Sequence, residues 1–295
     1  MRSLLILLLV TSSASAGLAH DLKHLPLGDN LKSAAPEKGK LWPCRIEPNG
    51  HGAGTDGPWI SQTEGTFDKT AKAVVKGDVQ WPHSFSVAVE GESRVFAGNN
   101  LPDHGTGIYP IQSGTTAYKY DRNPNGIQEQ VLHFSLPANP QLAASASCAP
   151  GAVGILLSGV PLFSAIDAPG RDAVAHEVQD KCDGHPQVSG VYHYHDVSSC
   201  VSDNHKKSEH STLVGYAIDG FGIYGNSGDG GKALTNADLD ECHGHEGQVM
   251  WDGKIVSMYH YHATPQFPYS VGCLRGKFDR SVVRALSGPP PELFQ

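Results

Sequence analysis

The chain has 295 residues, a formal net charge of −8, 34 glycines and 20 prolines. The negative charge argues against nucleic acid and anionic membrane as partners, because both require a basic face, and the acidic residues are scattered rather than gathered in a tail. Glycine and proline interrupt the chain so often that long helices have little room, and the expected fold is mainly β with a few short helices.

In chain order, Met1-Arg2 precedes the apolar run "LLILLLV" and then "TSSASA". This is the pattern of a secretory signal peptide spanning 1–16, cut after Ala16. The run is far shorter than the roughly 18 residues needed to cross a bilayer, so no membrane insertion is expected. Residues 17–40 are polar and read as an extended or disordered arm, residues 41–150 as a β-rich part, and 281–295 as a C-terminal tail with no anchor signal. Strands are expected at "AKAVV" (71–75), "SFSVAVE" (84–90), "SRVFAG" (93–98) and "QVLHFSL" (130–136), with "EGES" as a hairpin turn. Short helices are expected in "GRDAVAHEVQDKC", with Asp172 in its first turn, and in "TNADLDEC", capped by Thr235 or Asn236. Glu177 and Asp180, on the first of these, read as a solvated face.

Residues 151–280 contain an internal duplication, expected to form one continuous domain with 75–150. "GILLSGVPLF" (154–163) matches "GYAIDGFGIY" (215–224), each with two glycines five apart and a terminal aromatic residue. Cys182 follows Phe163 by 19 residues and Cys242 follows Tyr224 by 18. "CDGH", with Cys182 and His185, matches "CHGH", with Cys242 and His245; each copy then reaches Tyr-His-Tyr-His and closes on Cys200 or Cys273. The units run from about 152 to 200 and from 213 to 273. Six cysteines behind a secretory leader favour three disulfides. Units bounded by cysteines suggest Cys182 with Cys200 and Cys242 with Cys273, leaving Cys44 for Cys148.

A Y-H-Y-H strand sends Tyr192 and Tyr194 to one face and His193 and His195 to the other. Backbones at i and i+2 are about 6.5 Å apart, so both imidazoles reach one ion at bonds of about 2.0 to 2.1 Å. If the units pack about a pseudo-two-fold axis, His260 and His262 face His193 and His195, with His185 and His245 beside them. His243 supplies a further His-x-His. Imidazole sets suit copper, zinc, nickel or iron, copper or zinc foremost, and not calcium. No nucleotide is expected, because phosphate-cradling loops are absent, as are serine elbows and zincin helices. The bland alternative is that the histidines are structural donors to backbone in Gly-rich loops. Asp219 reads as an Asp-Gly turn or an acid/base group, and "NNLPDHGTGIYP" as a rigid loop that presents Asp103 and His104.

With "NNLPDHGTGIYP", "GRDA", "CDGHP", "GVYHYH", "YAIDGFGIYG" and "YHYHATPQFPY" assembled, residues 75–280 resemble the YHYH-domain proteins, a secreted family. The resemblance implies domain extent and secretion, and no settled activity. Three functions remain open: a secreted metal-binding protein, a structural extracellular-matrix or biomineral component with matrix molecules as partners, and a metal-dependent enzyme using Asp219 or Asp103.

Overall fold

The computed structural model describes residues 21–45 and 52–289; the leader at 1–16 lies outside them. Central to it is an eight-stranded sheet. In chain order its strands are β5 (Ala152–Leu156), β6 (Pro161–Phe163), β7 (Gly184–Pro186), β8 (Tyr192–Tyr194), β9 (Leu213–Ala217), β10 (Gly222–Tyr224), β11 (Gly244–Trp251) and β12 (Lys254–His262). Their spatial order is β7-β8-β6-β5-β9-β10-β12-β11. β5 and β9 pair antiparallel in the middle, and from there the two halves repeat one pattern. Each has a hairpin (β5 with β6, β9 with β10), a parallel step to the Y-H-Y-H strand (β6 with β8, β10 with β12), and an antiparallel outer strand carrying the Cys-x-Gly-His turn.

The motif glycines have definite tasks. A Cβ on Gly154 would stand 2.6 Å from Tyr216 O, and one on Gly215 would stand 2.5 Å from Ile155 O, so both keep β5 and β9 within hydrogen-bonding reach. Gly159 and Gly220, at φ 77° and 93°, turn the two hairpins in a region that other residues enter at a cost. β5 is buried along its whole length, as expected of an apolar run covered on both faces.

A second sheet, β1 (Phe85–Glu90), β2 (Ser93–Gly98) and β3 (Leu132–Pro137), is antiparallel, and the "EGES" turn joins β1 to β2 where Glu90 pairs with Ser93. It packs on the first sheet through Phe96, stacked on Phe134 at 4.7 Å and edge-on to Tyr216 at 5.3 Å. Arg94 lies between Tyr216 and Trp251, 4.9 and 4.7 Å from the ring centroids, and gives both Asp252 oxygens a hydrogen bond at 3.0 and 2.8 Å. β4 (Leu142–Ser147) and β13 (Leu274–Gly276) form a short ribbon beside it.

Several elements differ from expectation. Residues 71–75 form no strand: Asp68 caps a 3-10 turn at Lys69–Ala71, and Val75 makes a single bridge to Asp180. The first helix, α1 (Ala173–His176), is capped by Asp172 but stops at Glu177, whose backbone is extended, instead of running to Cys182. Thr235 caps a 3-10 turn at Asn236–Asp238 with Asp238 closing a capping box. The expected tail contains a helix, α2 (Arg280–Ser287), capped by Asp279; Val282 and Leu286, four apart, form its buried stripe. In the described part of the N-terminal arm, residues 21–40, Leu25 is buried, and Asp29 is 3.0 Å from His176 Nε2 and accepts from Asp172 N. Three disulfides join Cys44–Cys148, Cys182–Cys200 and Cys242–Cys273. Among the described residues no helix is long and apolar enough to cross a membrane.

The outer-strand glycines explain the Cys-x-Gly-His spelling. A Cβ on Gly184 would meet Tyr192 Cζ at 2.2 Å, and one on Gly244 would meet Tyr259 Oη at 2.4 Å, so each motif tyrosine lies over the glycine of its own unit. Tyr192 is wholly buried and cannot move aside. Gly184→Ala and Gly244→Ala should each destabilise by about 1–3 kcal/mol in urea unfolding, whereas Gly54→Ala, whose Cβ meets nothing within 4 Å, should leave the midpoint in place.

Candidate metal centres

The tyrosines of each Y-H-Y-H strand set its rotation. Tyr192 Oη donates to Asp180 at 3.0 and 2.9 Å, and Tyr259 Oη to Asp240 at 3.0 Å. The same carboxylates hold the Cys-x-Gly-His turns: Asp180 accepts from Cys182 N at 2.9 Å, and Asp240 from Cys242 N and Gly244 N at 2.9 and 3.0 Å. Asp180, expected on a solvated face, is in fact buried within this network. Tyr194 Oη meets His104 Nε2 at 2.5 Å and Ser158 Oγ at 3.2 Å; Tyr261 Oη donates to Asp219 Oδ2 at 2.6 Å. Burial raises the pKa of these phenols, which keeps them protonated as donors.

With the tyrosines fixed on one side, the histidines project from the other into two separate clusters. The first contains His185 on β7 with His193 and His195 at β8, within 4.8 Å of one another. His185 and His193 are opposite in register, and His193 Nε2 is 3.1 Å from His195 Nε2. Glu177, turned inward where α1 ends, brings Oε2 to 3.2 Å from His195 Nε2 and 3.4 Å from His185 Nε2. It is aligned for a hydrogen bond with neither, and both nitrogens of His185 are buried without a hydrogen bond.

The second cluster contains His245 on β11, His260 and His262 on β12, and His210 from the loop before β9. His245 and His260 pair in register. The Nε2 atoms of His245 and His260 are 3.0 Å apart, those of His262 and His245 3.1 Å, and those of His210 and His260 3.2 Å. Four donors on a tetrahedron with bonds of about 2.05 Å would be separated by about 3.3 to 3.4 Å, close to what is found.

The other nitrogen settles the tautomer in five of the seven rings. Nδ1 faces a backbone carbonyl in His193 (Val191, 3.2 Å), His195 (Ser164, 2.6 Å), His260 (Met258, 3.1 Å), His262 (Gly225, 2.6 Å) and His210 (Ser211, 2.8 Å). A carbonyl only accepts, so Nδ1 carries the hydrogen and Nε2 presents a lone pair toward the cluster. Lone pairs about 3 Å apart repel unless a cation lies between them. Carbonyl-bound Nδ1 is also the arrangement that orients metal-bound histidine.

Burial lowers His193 and His262 well below the ordinary imidazole range, and His185 to about 4 and His260 to about 3. Glu177 behaves otherwise: burial pushes it up, but His185 and His195 outweigh that and bring it down to about 2. His195 is likewise drawn down by burial yet held above its usual value by Glu177.

All six histidines expected from the motifs belong to a cluster, but the two sets do not face each other. Five inter-strand steps separate β8 from β12, roughly 24 Å along the sheet at about 4.8 Å each, because both central hairpins lie between them. Two members escaped the sequence reading. Glu177 has the sequence context of a solvated helix face, and His210 lies in the polar stretch "NHKKSEHSTL" with no spacing to mark it. Four other candidates fall elsewhere. His243, at φ 74°, bonds Thr264 Oγ1 at 3.1 Å. His104 has Cys182 and Cys200 nearby, but their disulfide removes both as ligands. Asp103 is exposed, and Asp219, buried, accepts from Tyr261 Oη, Phe221 N, Arg275 N and Gly276 N, which leaves it a structural role.

Residues 133–232 match the family model described as YHYH protein, so the chain carries a YHYH domain. The match contains the first cluster and His210, and stops before the second Y-H-Y-H strand. No curated protein and no solved structure matches the chain.

Tyr261 Oη both donates to Asp219 and accepts from Arg275 N at 2.8 Å. Tyr261→Phe should therefore cost about 1–3 kcal/mol in urea unfolding, the penalty for stranding buried polar groups, while Asp103→Asn should shift stability by less than about 0.5 kcal/mol.

Proposed function

We propose that this is a secreted protein that binds two transition-metal ions per chain, one at each histidine cluster. The observation that carries the reading is the convergence of Nε2 lone pairs whose partner nitrogens are tied to backbone carbonyls. Histidines that merely braced the fold would find partners for both nitrogens. Nitrogen-rich sets favour copper or zinc over calcium or magnesium. Three disulfides and the leader-like N-terminus support an oxidising, extracellular destination. The equal pairing pattern of the two half-sheets supports a duplicated unit in which each copy kept a site.

Elemental analysis tests this directly, on protein purified without chelator or histidine tag. Two ions per chain are expected. The double variant His193→Ala/His195→Ala should lose one and His260→Ala/His262→Ala the other. A metal-free protein that takes up neither copper nor zinc in titration would make the histidines braces.

A further inference from the structure

The two clusters differ in what closes them. The first is sealed: His185, His193 and His195 are at most 4% exposed, and Glu177 arrives from the end of a buried helix. Its carboxylate offsets part of the ion's charge, which a buried site requires. The second has no carboxylate among its four members, and its histidines divide into two classes: His260 and His262 are fully buried, whereas His210 and His245 reach solvent.

His210 is also held differently. His262 and His195 donate Nδ1 across to other parts of the framework, Gly225 and Ser164, but His210 donates to the carbonyl of its own neighbour, Ser211. Ser211 is fastened to Ser227 through Ser211 N to Ser227 O at 2.9 Å and Ser227 N to Ser211 Oγ at 2.8 Å. On the far side Asp203 accepts from Thr212 N and Oγ1. Between these fastenings Lys206 to Glu209 are exposed. Through Nδ1 the His210 ring is tied only to its own loop, so an outward rotation would break no Nδ1 bond to another part of the framework. Gly247 keeps the approach open: a Cβ there would lie 3.2 Å from His260 Cε1 and 3.8 Å from His245 Nε2.

Resting on the two-ion reading above, we propose that the second cluster is an exchangeable site with His210 as its detachable ligand, and that the first cluster retains its ion. When His210 leaves, His245, His260 and His262 hold the ion through three nitrogens, and a coordination position opens to water or to an incoming nitrogen or sulfur ligand. An ion can thus pass to an external chelator without the sheet opening.

The test loads the full chain with Zn(II), removes the excess and follows zinc release to EDTA over time. One ion per chain should leave rapidly and one slowly. The fast phase should be missing from His260→Ala/His262→Ala and the slow phase from His193→Ala/His195→Ala. His210→Ala should weaken retention of the fast ion by about 10- to 100-fold and leave the slow ion unchanged; Gly247→Ala, which keeps every ligand but crowds the approach, should slow the fast phase. Release of both ions in one phase, assignment of the slow ion to His260 and His262, or a fast phase indifferent to both His210→Ala and Gly247→Ala would overturn the proposal while leaving two-ion binding intact. A chain that takes up no zinc overturns the two-ion reading itself.

Discussion

The structure depends on the anchoring of four tyrosine hydroxyls. A strand that alternates Tyr and His directs its imidazoles to one face only if its rotation about its own axis is held, and here hydrogen bonds from the opposite face hold it. Tyr192 and Tyr259 are fixed by Asp180 and Asp240, Tyr194 by Ser158 and His104, and Tyr261 by Asp219. Because Asp180 and Asp240 also close the Cys-x-Gly-His turns, one carboxylate sets both the strand with two histidines and the turn with the third. The three ring positions are then coupled through rigid backbone, as a preorganised metal site requires.

The same anchoring shows how two nearly equal units come to differ. Ser158 and Asp219 each precede the hairpin glycine of their own half-sheet, and each meets the second tyrosine of its motif. The cores are interchangeable in layout; the fourth group at each cluster is not. Glu177 comes from a helix end within the first unit, and His210 from the connection between units. Each half-sheet thus supplies a three-histidine platform, and the irregular chain around it decides the charge and accessibility of the site. Framework in strands and function in loops is the usual division of labour in such folds.

Much of the arrangement was legible in the sequence. The strands at 84–90, 93–98 and 130–136, the hairpin turn between the first two, the three cysteine pairings and the alternation of tyrosines and histidines between opposite faces follow from period-two patterning, turn chemistry and cysteine spacing, all of them local or nearly local signals. The errors have a common origin. Residues 71–75 have strand-like composition, but the Asp68 cap draws Ala71 into a 3-10 turn at Lys69–Ala71, and Val75 finds only an isolated bridge. Glu177 and Asp180 look like a charged helix face, yet α1 ends after four residues and brings both inside.

The sequence by itself determined the kind of site: histidines at i and i+2 on a strand, a third beside a cysteine turn, and the whole spelled twice. Period and composition suffice for that, because they fix which side chains share a face. Only the tertiary structure decided that there are two clusters rather than one, and which residue completes each. Those outcomes depend on strand order and on where loops return: β5 with β9 at the centre drives the Y-H-Y-H strands apart, the early end of α1 turns Glu177 inward, and a loop distant in sequence delivers His210. No local pattern encodes such long-range placement, since it arises from the edge-to-edge pairing of β5 with β9 and from the packing of the sheet against β2.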